Sequence, residues 1–308
     1  MKKSRYNVMR KIMIFWTLFV GIGALAGSIC MIADPTGGIM QMEPMLPYFQ
    51  KLPFAEVLFQ NFLFPGIALL IVNGLTNFTA SVFLFLKKKI GIVLGMVFGI
   101  TLMLWIVIQF VIFPCNFLST AYFIIGFLQT LCGIIGIVFY RQEQFEFNAE
   151  SYTNIGTNHK NLVVFFSRMG YVKKVAYEKA NETGADIYEV KTTERSEGTL
   201  GFWWCGRYGM HKWAMPIQDI DIDLTEYDHV TICSPIWVFH LSAPIRSFCM
   251  QAKGQIKEAD YVLVHFKKDG FFIASDEMDE LLGLKNSHCE SISCKTGTYN
   301  TKTVKTNN

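Results

Sequence analysis

The sequence lacks the cysteine patterns that bind metals or hold secreted folds together. Its eight cysteines are scattered, with no Cys-x-x-Cys pair and no cysteine–histidine spacing typical of a zinc or iron–sulfur site. Two of them, Cys30 and Cys132, lie inside long apolar runs. The pattern predicts reduced, unpaired thiols and no metal site, and it excludes a small disulfide-linked secreted protein.

Charge is also scarce. Only 17% of the residues are charged and the formal net charge is +3, which is too small a basic excess for a nucleic-acid-binding protein. Residues 1–140 contain no histidine and nearly all the uninterrupted apolar runs. The content of 51% apolar and 15% aromatic residues is high for a soluble protein. The 308 residues leave room for two domains, of which the first is the more apolar.

Residues 1–141 contain four charge-free runs that are long enough to cross a bilayer. The first has 22 residues, and a helix rising about 1.5 Å per residue needs about 20 to cross the hydrocarbon core. The third and fourth are separated by Pro114-Cys115-Asn116. The predicted spans are 12–33, 64–86, 90–113 and 117–140. This region is therefore predicted to be an all-α transmembrane domain of four helices.

Basic residues predict how these spans are oriented. They precede the first span, follow the fourth and separate the second from the third, whereas loop 34–56 has one lysine and three acidic residues. By the positive-inside rule, we expect a multi-pass protein of the cell (inner) membrane with both termini in the cytoplasm. An alternative takes residues 1–27 as a cleaved signal peptide, and residue 141 would still be cytoplasmic. The basic residues are Lys2, Lys3, Arg5, Arg10, Lys11, Lys87, Lys88, Lys89 and Arg141.

Two amides, Asn73 and Asn77, share one face of the second span because they are four residues apart. An amide in hydrocarbon needs a partner. The pair predicts either a polar pocket or transport path, or hydrogen bonds at a tight contact between helices. The aromatic outer loop predicts a short amphipathic helix in the membrane interface.

Residues 142–160 become polar and are predicted to be a linker. Strands and helices then alternate, which predicts a doubly wound parallel sheet in residues 161–295 with a ligand at the carboxyl ends of its strands. Residues 191–228 are predicted to be mostly irregular and 296–308 to be a disordered tail. No helix then follows the last strand, so the linker, the membrane domain or a second copy would have to cover that face. The predicted strands are 162–166, 185–190, 229–234, 261–266 and 289–294, and the helices are 172–184, 243–252 and 276–282.

Two segments resemble the flavodoxin family and its relatives among the FMN-dependent reductases. The first, NLVVFFSRMGYV at 161–172, is similar to the strand and loop with which the family holds the FMN phosphate. The second, SPIW at 234–237, is similar to the loop whose aromatic ring lies against the isoalloxazine. The resemblance covers about residues 160–296. It implies a C-terminal α/β domain of the flavodoxin-like fold, fused to the four-helix domain.

The resemblance also implies a site for non-covalent FMN, with Trp237 stacked on the flavin and Phe239 or His240 at its edge. Met169 and Val172 stand where the family has hydroxyl residues, and losing two hydrogen bonds of about 1 kcal/mol each would weaken phosphate binding about ten- to a hundredfold. Arg168, Lys173 and Lys174 would offset part of this loss. The third family loop, at 267–271, is short here. The implied cofactor residues are Ser167, Arg168, Met169, Gly170, Tyr171, Val172, Ser234, Pro235, Ile236, Trp237, Val238 and Phe239.

The implied function is electron transfer through FMN to a quinone or a redox partner at the bilayer, with no side chain acting as an acid or base. Two alternatives fit the same residues: a non-catalytic membrane protein with a degenerate flavodoxin-like scaffold or sensing domain, and a small transporter regulated by that domain. The aromatic segment 203–211 would line the substrate side of the flavin, dock on the membrane or cover the sheet. A nucleophilic Cys205 with His211 lacks a third partner.

Overall fold

The computed structural model describes residues 4–285 and 288–305, and its contacts divide the chain into two compact units, 1–144 and 145–308. Lys2 and Lys3 of the predicted basic cluster, and residues 306–308 of the predicted tail, lie outside the described residues.

The first unit is helical in its described part. Four helical stretches there are long and apolar enough to cross a membrane: Arg5–Ala33, Leu63–Phe85, Lys89–Ile112 and Phe117–Glu143. At the predicted break between the last two stretches, Asn116 caps the N-terminus of Phe117–Glu143, because its side chain accepts a hydrogen bond from the Ser119 amide. The helices are α1 (Arg5–Ala33), α2 (Leu46–Phe49), α3 (Ala55–Leu58), α4 (Leu63–Leu69), a π-helical segment (Leu70–Leu75), α5 (Thr76–Phe85), α6 (Lys89–Ile112) and α7 (Phe117–Glu143).

Small residues let α6 and α7 approach closely. A Cβ added at Gly99 would lie 2.8 Å from the Gly126 carbonyl oxygen, so neither position has room for a side chain. A buried amide joins three helices, because Nε2 of Gln129 donates to Oδ1 of Asn77 (3.0 Å) and to the Gly95 carbonyl (2.8 Å). The predicted interhelical hydrogen bond is therefore present at Asn77. Asn73 does not take part in it.

The second unit contains a mixed, mostly parallel sheet in the order β2-β1-β3-β5-β6-β7, with the two-residue β4 paired to β3. The first five strands of that order are mutually parallel. Without β4 they follow the doubly wound order 2-1-3-4-5 of flavodoxin-like folds. The strands are β1 (Asn158–Phe165), β2 (Ala185–Glu189), β3 (His229–Trp237), β4 (His240–Leu241), β5 (Ala259–His265), β6 (His288–Lys295) and β7 (Thr298–Lys305).

Alternate residues of the central strands form two separate cores. Leu162 and Val164 of β1 face one core, and Val163 and Phe165 face the other. This is why the central strands are nearly continuous apolar runs, since both faces of the sheet are covered. Helix α8 (Tyr171–Thr183) packs in the second core, and α10 (Ala243–Gln251) and α11 (Ile273–Leu282) pack in the first.

Two predictions for the second unit are wrong. Residues 191–228 are not all irregular, because α9 (Gly198–His211) lies within them. Residues 298–305 are not a disordered tail, because they form β7, which runs antiparallel to β6. The sheet is therefore mixed, whereas the sequence predicts a wholly parallel sheet.

The predicted linker belongs in part to the second unit, where it takes the place of a last helix. The Phe145 ring lies 4.8 Å from the Tyr171 ring and the Phe147 ring 4.9 Å from the Tyr177 ring, both edge-on against α8. Gly297, in the β6–β7 turn, has a φ of +90°, and a Cβ added there would meet the Phe145 ring at 2.5 Å. The Phe145 ring therefore lies between α8 and the β6–β7 turn, and the Phe147 ring packs on α8.

Candidate functional site

A cavity of about 440 Å³ lies at the carboxyl ends of β1, β3 and β5. β2 and β3 flank β1 on opposite sides, so the chain adds strands first on one side of β1 and then on the other. The cavity lies at this reversal of the strand order. Ligands of doubly wound sheets bind at this point. Nine of the predicted site residues line it: Ser167, Arg168, Met169, Tyr171, Val172, Pro235, Ile236, Trp237 and Val238.

The loop between β1 and α8 forms the anion-binding side of the cavity. Gly170, with a φ of +86°, takes the left-handed conformation at the N-cap of α8. In the described part of the chain, no side chain caps this end, so the first amides of the 13-residue helix stay open to a ligand. Oγ of Ser167 is buried and has no hydrogen-bond partner among the described residues. A helix N-terminus and an unsatisfied hydroxyl together suit an anion such as a phosphate.

Two of the three cations expected to strengthen phosphate binding by this loop make other contacts. Lys173 pairs with Glu189 at 3.0 Å, and Lys174 lies over the Tyr299 ring at 5.5 Å. Only Arg168 of the three lines the cavity, and it also donates to the Gly198 carbonyl of α9 (3.1 Å). Val172 is buried in the core beneath the loop. A phosphate here would therefore depend on backbone amides, Ser167 and Arg168.

The β3–β4 hairpin forms the second side of the cavity. Its two-residue turn, Val238-Phe239, has φ angles of +48° and +63°, and it joins the paired residues Trp237 and His240. Positive φ at both central residues is the type I′ geometry, which fits the twist of the flanking strands. It is strained for a β-branched residue such as Val238. The hairpin thus holds Trp237 and Val238 against the cavity at a cost in backbone energy.

Trp237 is half-buried and fixed by its neighbours. Its ring meets the Phe166 ring edge-on at 5.5 Å and 85°. A Cβ added at Gly209 of α9 would lie 2.8 Å from the Trp237 Cβ, so the helix backbone packs directly on this residue. Trp237 is therefore a rigid aromatic wall whose exposed part faces the cavity.

Three predicted site residues do not line the cavity. Ser234 is fully buried, and its hydroxyl shares a 2.8 Å hydrogen bond with Oγ of Ser242. Gly170 acts through the backbone as the cap of α8. Phe239 points outward and meets the Phe266 ring at 5.9 Å.

The third side comes from the ends of β5 and β6, in place of the predicted loop 267–271. His265, Phe266 and Cys294 line it. Nε2 of His265 shares a 2.6 Å hydrogen bond with Oγ of Ser291, which also accepts from the Phe271 amide (2.8 Å). Burial and then nearby Lys267 lower the pKa of His265, so its ring is neutral at neutral pH. No motif at these positions indicated the site, because a strand end acquires this role only when the sheet has formed.

Helix α9 closes the cavity with Phe202, Cys205 and Gly206. The aromatic segment predicted to line the substrate side of a flavin thus contributes two of these residues and lies next to the third. The Arg168 guanidinium lies over the Phe202 ring at 5.2 Å, which joins this helix to the anion-binding loop. Burial raises the pKa of Cys205 to about 11, so the thiol stays protonated and is a poor nucleophile.

The lining as a whole is apolar and aromatic, with one cation. Of the residues described there, none is acidic, and Arg168 is the positively charged one. Trp237, Phe202 and Phe266 provide the aromatic surfaces. The site suits a flat, apolar ring system that carries an anionic group toward α8.

No protein-family profile and no curated protein matches the chain. Solved structures that resemble this chain include a flavoprotein of Lactobacillus acidophilus in complex with FMN, with 23% identity and a TM-score of 0.35 over 41% of this chain and 87% of that one. A putative flavoprotein of Bacteroides uniformis has 21% identity and a TM-score of 0.36 over 40% and 82% of the two chains. Another, of Bacteroides eggerthii, has 21% identity and a TM-score of 0.35 over 40% and 80%. Likenesses at these TM-scores assign neither a fold nor a ligand to this chain.

Proposed function

We propose that the second unit binds FMN without a covalent bond and that the first unit anchors it in a bilayer. The observation that carries this proposal is the cavity at the β1/β3 reversal, where aromatic walls adjoin the open N-terminus of α8. Oγ of Ser167, which has no hydrogen-bond partner among the described residues, lies beside it. In this arrangement the α8 amides, Ser167 and Arg168 bind the phosphate, and Trp237 lies against the isoalloxazine ring.

The activity we propose is electron transfer to a quinone or a redox partner protein. Bound FMN supplies the redox chemistry. The chain contributes binding, a fixed ring position and exclusion of water by Trp237, Val238 and Phe202. Neutral His265 and protonated Cys205 add no charge to the cavity. We further propose a location in the cell (inner) membrane with both termini in the cytoplasm, which the distribution of basic residues supports.

A second candidate is a non-catalytic protein whose flavodoxin-like domain has lost the cofactor. It is favoured by the loop itself, where Val172 is buried in the core and Lys173 is paired with Glu189. This alternative predicts no FMN binding at any attainable concentration. Binding therefore decides between the two candidates.

The test is a titration of the full-length apoprotein in detergent with FMN, followed by flavin fluorescence. We expect saturable quenching, and we expect Trp237→Ala to weaken affinity about three- to tenfold, the size of one aromatic stacking contact. Trp203→Ala is the control, because Trp203 is 70% exposed on α9 and does not line the cavity. Absence of binding at high micromolar FMN would support the non-catalytic candidate. Equal effects of the two substitutions would refute the stacking role of Trp237.

A further inference from the structure

The first unit contains a cavity of its own, of about 670 Å³, between the four long helical stretches and residues 40–45. It is near one end of the unit, beside the C-terminal parts of α1 and α6 and the start of α7. Among its described lining residues there is no charged side chain. A charged ligand would find no counter-charge in this apolar surrounding, so the cavity suits a neutral molecule.

Asn73 lines this cavity with an unsatisfied amide. Its side chain is 1% exposed, and neither Nδ2 nor Oδ1 has a hydrogen-bond partner in the described part of the chain. Such a group costs about 1–3 kcal/mol for each unmade hydrogen bond. Asn77, one turn away, is different: its Oδ1 accepts from Gln129 and it does not line the cavity. One amide of the pair thus holds helices together, and the other is left for a ligand.

The backbone at Asn73 supplies a second, independent observation. Leu70–Leu75 is π-helical between α4 and α5. A π-helical turn is rarer and less favourable than the α-helical one it interrupts, and such turns occur frequently at functional sites. Here it places Asn73 at the cavity while Asn77 still reaches Gln129.

The remaining lining suits a flat ring. Trp105, Phe113 and Tyr122 supply aromatic faces, and Met31 and Met45 supply flexible thioethers that adapt to a ligand's shape. Gln109 and Ser119 add polar groups to the lining, and Oγ of Ser119 donates to Oε1 of Gln109 at 3.1 Å. An acyl chain would fill the space but would leave the Asn73 amide unsatisfied.

We propose that this cavity binds a neutral, bilayer-soluble ring of the quinone class, with one ring oxygen accepting from the Asn73 amide. The inference rests on the membrane insertion proposed for the first unit and does not depend on FMN binding. It concerns binding and assigns no electron transfer to this site. The other occupant, a lipid acyl chain, is an outcome of the test.

The test uses the full-length protein in nanodiscs, with decylubiquinone as the probe and quenching of tryptophan fluorescence as the readout. We expect a saturable component that Trp105→Phe removes, because Trp105 lines the cavity. Asn73→Leu should weaken apparent affinity about three- to tenfold, the loss of one hydrogen bond. Leu75→Ala, in the same π-helical segment but 54% exposed and away from the cavity, should leave it unchanged.

Three results would overturn the proposal: quenching that does not saturate, unchanged affinity in Asn73→Leu, or equally good competition by decylbenzene, which has ring and tail without oxygens. If Asn73→Leu does not accumulate, Met45→Phe narrows the cavity from the loop and should abolish the saturable component; persistence of that component would refute the site. FMN titration of the same nanodiscs tests the proposed function separately. Recovery of the protein in the nanodisc fraction tests insertion separately.

Discussion

At the scale of single residues, the two serines predicted to contribute to the cofactor site, Ser167 and Ser234, have different surroundings. Ser167 has a buried hydroxyl with no partner among the described residues, and it lines the cavity. Ser234 is fully buried, and its hydroxyl is satisfied by Ser242. Only the first is therefore available to a ligand.

This difference predicts that a serine-to-alanine substitution lowers FMN affinity at one position and stability at the other. Ser167→Ala should lower FMN affinity about ten- to a hundredfold, because a hydrogen bond to a charged phosphate contributes about 1.5–3 kcal/mol, and should leave the melting temperature nearly unchanged. Ser234→Ala should keep the affinity and lower stability by about 1 kcal/mol. Fluorescence titration and thermal unfolding measure the two quantities. A loss of affinity in Ser234→Ala alone would contradict this assignment of roles.

Residues of the candidate site could be predicted from the sequence where a buried strand fixes their position. Gly170 lies in the turn after β1 and Trp237 is the last residue of β3, so the apolar runs of these two strands locate both residues in the sequence. Ser234 does not line the cavity, although its neighbours Pro235 and Ile236 do, because its side chain is fully buried. Alternation along a strand does not by itself tell which face a ligand approaches. His265 and Phe266 were missed because nothing local distinguishes them from other residues at a strand end.

At the scale of elements, the buried strands were predictable and α9 was not. Strands covered on both faces are almost continuous apolar runs, a pattern visible in the sequence. Helix α9 carries glycines at 198, 201, 206 and 209, each of which lowers helix propensity by about 1 kcal/mol. Strand β7 was missed because its sequence, TYNTKTVK, is polar and lies at the edge of the sheet. Both α9 and β7 depend on contacts with other elements, which their local sequences do not indicate.

Two glycines of α9 predict how this helix depends on the β3–β4 hairpin. Gly209→Ala should destabilise the protein by about 1–3 kcal/mol and weaken FMN binding, because the new Cβ would meet the Trp237 Cβ at 2.8 Å. Gly206→Ala is the matched control for stability alone, since Gly206 itself lines the cavity. No atom of the described residues lies within 4 Å of the new Cβ, so this variant should gain up to about 1 kcal/mol of helix propensity. Melting temperatures of the two variants should move in opposite directions. Equal shifts would show that α9 does not pack on Trp237.

The aromatic residues before β1 predict where a stable C-terminal fragment begins. Fragment 145–308 keeps the half-buried rings of Phe145, Phe147 and Tyr152, whereas fragment 158–308 lacks them. At about 1 kcal/mol for each ring, the shorter fragment should lose about 3 kcal/mol of stability. Urea unfolding measures this difference, and Phe147→Ala in the longer fragment should account for about a third of it. Equal midpoints for the two fragments would mean that the segment before β1 is a true linker.

At the scale of the whole molecule, the proposed orientation can be tested without any ligand. Green fluorescent protein fused after Tyr140 should fluoresce, because it folds in the cytoplasm. Alkaline phosphatase fused after Phe54 should be active, because it needs the outer side. The reverse pattern, with active phosphatase after Tyr140, would contradict the cytoplasmic placement of the second unit.

Strand β7 has a consequence for how these molecules behave when crowded at a surface. Without it, β6 would present a row of open amides and carbonyls on which a neighbouring chain could add its own strand. β7 occupies that row and carries two lysines in surface ion pairs, Lys302 with Glu290 and Lys305 with Asp276, each at 2.9 Å. Charged side chains on a terminal strand discourage further pairing. The β6–β7 hairpin therefore disfavours the addition of a strand from another chain at this edge of the sheet.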